Sequence, residues 1–125
     1  MPSEKVVVSG KIVFDGVAKP FANATVYVRL EDVSKMDVPS QTLAEQVIGN
    51  VGVAEDEWRA GVVREVEFSL AAEISDLRGM YVVQVHVDVD GDGRVGVGDF
   101  ITQEYYPVVT QGNPRFVVVH VKEVK

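Results

Sequence analysis

Valine, isoleucine, tyrosine and phenylalanine recur along this chain in short runs separated by glycine, proline, asparagine and aspartate. That spacing predicts many short strands rather than helices. Strands are expected over residues 6–14, 25–31, 63–70, 80–89, 102–108 and 114–121. Alternation is cleanest from Thr25 to Leu30, where Val26, Val28 and Leu30 fall on one face and Thr25, Tyr27 and Arg29 on the other. Phe14-Asp15-Gly16 and Gly112-Asn113-Pro114 read as turns, because Gly and Asn accept positive φ and Pro cannot extend a central ladder. Two stretches resist a strand reading. Residues 32–58 are acidic and contain alanine, so a long loop excursion is expected there, with a helical turn around 42–48. Residues 71–79 read as one turn of helix. The fold class that follows is all-β: an antiparallel β-sandwich of about six to eight strands occupying residues 1–125 as one domain, with a small barrel as the alternative.

Composition adds mainly exclusions. With 46% hydrophobic and 25% charged residues the chain has enough apolar material to build its own core. Nineteen acidic against twelve scattered basic residues, a net charge of -7, argue against a nucleic-acid surface and against anionic membranes. The absence of cysteine removes disulfides, thiolate zinc sites and cysteine nucleophiles. Apolar runs such as Val117-Val118-Val119 are far shorter than the roughly 20 residues of a membrane helix. Met1-Pro2-Ser3-Glu4-Lys5 enters a strand without a signal-peptide core, so the chain reads as cytosolic or as a mature domain.

One segment carries chemistry. Residues 88–99, Asp-Val-Asp-Gly-Asp-Gly-Arg-Val-Gly-Val-Gly-Asp, place carboxylates at loop positions one, three, five and twelve (Asp88, Asp90, Asp92 and Asp99) with glycine at six. Alternate side chains of such a loop converge on a hard cation while the glycine makes the sharp turn, so the expected ligand is calcium. Arg94 at position seven would offer its backbone carbonyl, and Val95 at eight is expected to pack inward. Asp99 stands where EF-hands carry glutamate, as in dockerin loops. The lead-in 81–87 is β-branched and alternating, which places the loop on a strand, and Asp99 begins a stretch (99–103) that reads as a short helical turn. The competing reading of Asp-Gly-Asp-Gly is a tight hairpin turn, which does not need four acids at ligand spacing. Magnesium, which retains its waters and a tight octahedron, fits less well.

Elsewhere motifs are sparse. His86 alternates with Val85 and Val87 and reads as a surface histidine; His120 shares a face with Phe116 and Val118. Trp58, among acids, is read as the lid of a core or as an anchor for a partner. No nucleophile elbow and no phosphate-cradling loop occurs.

The segment 25–40, Thr-Val-Tyr-Val-Arg-Leu-Glu-Asp-Val-Ser-Lys-Met-Asp-Val-Pro-Ser, followed by Leu43-Ala44-Glu45-Gln46, resembles the YbaY/YscW family of bacterial lipoproteins. Val8-Ser9-Gly10, Phe68-Ser69-Leu70, Tyr81-Val82-Val83 and Tyr106-Pro107-Val108 are similar to further strands of that family. The resemblance implies an exported β-sandwich, with some members acting as secretion-system pilotins or chaperones, and supplies no catalytic residues. This chain lacks the family's lipid-bearing cysteine and adds the acidic loop. The expected function is therefore a non-enzymatic calcium-binding module that presents a surface to a protein partner, outside the cytoplasm by resemblance. A calcium-responsive switch that reorganises residues 32–58 is the alternative, and an enzyme of unrecognised type would require a deep pocket lined by perturbed ionisable groups.

Overall fold

The computed structural model describes residues 3–35 and 37–125. Among these, eight strands and one short helix follow in order: β1 (Glu4–Asp15), β2 (Phe21–Asp32), β3 (Gln41–Val53), α1 (Glu55–Arg59), β4 (Glu65–Ile74), β5 (Tyr81–Asp88), β6 (Phe100–Thr102), β7 (Tyr106–Val108) and β8 (Phe116–Glu123). The all-β architecture stands as read, but the strands form one continuous sheet, β3-β2-β5-β6-β8-β1-β4, with β7 beside β5. It curls until its two edge strands meet, where the Ser69 amide of β4 donates to Gln46 Oε1 of β3 at 2.8 Å. The opposed layers of the expected sandwich are thus walls of a nearly closed barrel, and each edge shields the other from stray pairing.

Alternation explains which face is inside. Val26, Val28 and Leu30 of β2 are buried, as are Val8 and Ile12 of β1, Val83, Val85 and Val87 of β5, and Val119 and Val121 of β8. The pairing of β1 with β8 is parallel, against the antiparallel expectation, while the other ladders are antiparallel. That parallel contact requires Gly10, because a Cβ there would collide with the backbone carbonyl of Val117.

Three expectations need correction. Residues 32–58 are not a loop excursion: they contain β3 and α1, and residues 42–48 are strand rather than helical turn. β3 is a sheet edge whose only backbone ladder is with β2, so Leu43, Ala44, Gln46 and Ile48 are half-buried and Val47 is exposed. Its alternation is blurred, and pairing to β2 overrides the weak β propensity of Ala, Glu and Gln. Residues 71–74 likewise continue edge strand β4, leaving a turn at 75–79 in place of a helix. The expected strand 102–108 divides into β6 and β7 where the Val85 amide meets Thr102 Oγ1 instead of a backbone carbonyl.

Trp58 sits on α1 and remains 37% exposed, so it is not the lid of the core. Its indole N–H donates to the Val17 carbonyl at 2.9 Å, tying the helix to the β1–β2 connection. Glu57 extends the same clasp, pairing with Arg64 and accepting the Ala54 amide.

Candidate functional site

The acidic loop hangs between β5 and β6 and is held from both sides. Asp88, the last residue of β5, is buried and accepts the Gly91 amide on Oδ1 at 3.0 Å and the Gly93 amide on Oδ2 at 2.8 Å. Gly91 and Gly93 take φ of 78° and 75°, a region that strains side-chain-bearing residues, so the turn depends on glycine. Asp90 accepts the Asp92 amide and Asp92 the Arg94 amide, each two residues on. Asp99 is fully buried and accepts from Val89, Gly96 and the His86 imidazole at 2.9, 3.2 and 2.9 Å. The tail of the chain closes the far side, with Gly98 donating to the Val124 carbonyl and Val124 to that of Asp99.

The structure brings four of the five expected site residues together. Oxygens of Asp88, Asp90, Asp92 and Asp99 lie within 4.8 Å of one another. Arg94 is exposed, consistent with a side chain pointing to solvent. Val95 does not pack inward as expected: it is 55% exposed and stands over the outer face of the sheet, near Tyr27, His86 and Ile101, with no helix to dock on. The expected helical turn at 99–103 is strand β6, since Phe100 is drawn into an aromatic cluster with Phe14 and Phe21 at ring distances of 5.3 and 5.4 Å.

His86 is the residue the sequence reading missed. It is not a surface histidine; its side chain is 11% exposed, bonded to Asp99 and stacked on Tyr27. One nitrogen lies within 4.8 Å of oxygens of Asp88 and Asp99, so it belongs to the same cluster. Strand alternation put it on the outer face correctly, but Asp99 and the Tyr27 ring cover it there.

Electrostatics separate Asp88 from Asp90 at the loop's start. Burial pushes the Asp88 carboxyl up, but the Gly93 amide, a hydrogen bond shared with Asp90, the Gly91 amide and nearby His86 together bring it below the ordinary carboxylate range. Asp90 moves the other way: the Asp92 amide pulls it down, and the shared hydrogen bond with Asp88, burial and the charge of Asp92 outweigh that pull.

A second feature lies on the outer face of β5. A groove of about 560 Å³ has Val82 in its lining and Met80, Val38, Tyr105 and Pro107 around it, with Val33 contributed by the segment after β2. Val38, Met80 and Tyr105 are 51%, 49% and 73% exposed. The polar members of its lining are Lys35, Ser40 and Gln84. Nothing in the sequence marked it, because its lining comes from three separate stretches of chain.

The chain matches the family described as "Type III secretion system lipoprotein chaperone (YscW)" over residues 3–121, and it belongs to that family. The resemblance carried by residues 25–46 therefore stands. Among solved structures it is similar to an alternative pilotin from the type II secretion system of Vibrio cholerae, at 26% identity and a TM-score of 0.73, covering 98% of this chain and 99% of that one. No curated protein matches it. Among the described residues no helix is long and apolar enough to cross a membrane.

Proposed function

We propose that this chain is a secretion-associated binding module of the cell envelope, which holds an apolar segment of a secretion-apparatus protein in the groove over Met80 and Val82. The observation that carries the reading is the groove's exposed apolar rim, Val38, Met80 and Tyr105, on a chain that belongs to a chaperone family and shares its fold with a pilotin. Exposed apolar surface gathered in one concavity marks an interaction site, and an unbranched methionine adapts to the side chains it meets. A photo-crosslinking residue at Val38, introduced in the chain's own host, tests it. A crosslink to a secretion-apparatus protein that Met80→Glu abolishes is expected; no crosslink, or one indifferent to Met80→Glu, overturns the reading.

The acidic loop supports a second element of the proposal: one calcium ion held by Asp88, Asp90, Asp92 and Asp99 with the Arg94 carbonyl. The supporting observation is the convergence of four carboxylates, two of them buried, without a Lys or Arg paired to any of them among the described residues. The ion acts as a structural pin. A switch acting through residues 32–58 would have to unzip β3 from the long ladder it shares with β2. Calorimetric titration of chelator-stripped protein with calcium, beside Asp90→Ala, tests this; absence of heat in the parent chain removes calcium from the proposal.

A further inference from the structure

The groove over Met80 does not end where its apolar lining ends. At one side Lys35 and Val38 are shared with a smaller cleft that includes Asp32 and Gln41. At the other, Gln84 and Tyr105 are shared with a cleft lined by Thr102 and Glu104. The three form one trough, apolar in its middle and charged at its ends.

The exposed charges at the two ends are of opposite sign: Lys35 at one, beside a half-buried Asp32, and Glu104 at the other. Asp32 turns its carboxylate to the backbone N–H and hydroxyl of Ser34. Lys35 beside it is exposed and makes no ion pair among the described residues. Glu104 at the far end is exposed and equally without one. An occupant lying on Met80, Val82 and Pro107 brings its own ends next to these two groups, and charge complementarity then selects among occupants of equal apolar fit.

We propose that the trough takes a dipolar amphipathic segment of a partner protein, apolar in its middle, with an acidic residue against Lys35 and a basic residue against Glu104. This rests on the reading that the groove holds a protein partner and adds the charge pattern by which that partner is chosen. Segments with two acidic or two basic ends leave one like-charge contact, and this discriminates even though the chain's net charge of -7 attracts any basic peptide.

The test uses the full chain and three dye-labelled peptides with one apolar middle and different ends: one Glu and one Lys, two Glu, or two Lys. Fluorescence anisotropy is expected to give the dipolar peptide an affinity about fivefold higher than either other at low salt, with the preference fading as salt is raised. Lys35→Glu should move the preference to the two-Lys peptide, and Glu104→Lys to the two-Glu peptide. Equal affinity for all three peptides, with all binding lost in Met80→Glu, overturns the charge pattern and leaves the groove reading intact. No binding, or binding that Met80→Glu leaves unchanged, overturns the groove reading itself. Self-association abolished by Met80→Glu would show that a second copy covers the groove and overturns the proposal.

Discussion

The acidic loop and the apolar groove both lie on surface made by β5, and they are built in opposite ways. Around Asp88 and Asp99 the carboxylate oxygens accept backbone amides, and the chain's tail is stitched to the loop through Gly98 and Val124. Around Met80 the lining is side chains with open rims at Val38 and Tyr105. A site for a small hard ion must be preorganised, because a cation gains little from ligands that have to be gathered first. A site for a protein segment tolerates looseness, since its stabilisation comes from apolar area that adapts to the partner.

Substitutions can separate the two. The largest expected effect is at Phe100, which joins the loop to the Phe14 and Phe21 cluster: Phe100→Ala should cost about 3–5 kcal/mol in chemical denaturation. Tyr105→Ala, at the exposed groove rim, should stay within about 0.5 kcal/mol. If both cost the same, the rim is part of the core and the contrast fails.

Calcium comes next. At a free concentration a hundredfold above Kd it should stabilise the folded chain by about 2.7 kcal/mol, read as a rise in Tm that Asp90→Ala removes and Met80→Glu retains. A shift that survives Asp90→Ala would place the ion elsewhere.

Asp99→Asn tests preorganisation without the ion. It keeps the shape but weakens acceptance from Val89, Gly96 and His86, and should cost about 1–3 kcal/mol in chelator. The same change at exposed Asp92, with one amide partner, should cost under about 0.5 kcal/mol.

The smallest effect is one of pH. Glu57 is held below its ordinary value, first by the Ala54 amide, then by the Arg64 hydrogen bond and charge, against a small opposing effect of burial. A depressed folded pKa gives stability that is present above the unfolded value and lost as pH falls through the folded one. Glu57→Gln should therefore flatten the acid limb of the Tm-against-pH curve slightly while leaving the neutral range parallel to that of the parent.

Much of this was legible in the chain itself. Val26, Val28 and Leu30 declared their face because β2 is central and pairs on both sides, so every second residue meets the core. Asp88, Asp90, Asp92 and Asp99 declared themselves because the spacing of a loop's acids is local, and the structure draws them within 4.8 Å of one another. Segment 25–46 sufficed to suggest the family that the match over residues 3–121 establishes.

What local sequence could not carry were the features made by distant partners. β3 and the end of β4 are strands only because β2 and β1 supply ladders to edges of weak intrinsic preference. His86 lost its solvent because Asp99 and the ring of Tyr27 meet it, and the groove exists only where Val33, Met80, Tyr105 and Pro107 are brought side by side. Side-chain alternation and loop spacing are written in neighbouring residues and were fixed by sequence. Edge pairing, coverage and concavity depend on which segments meet, and the closing of the barrel decided them.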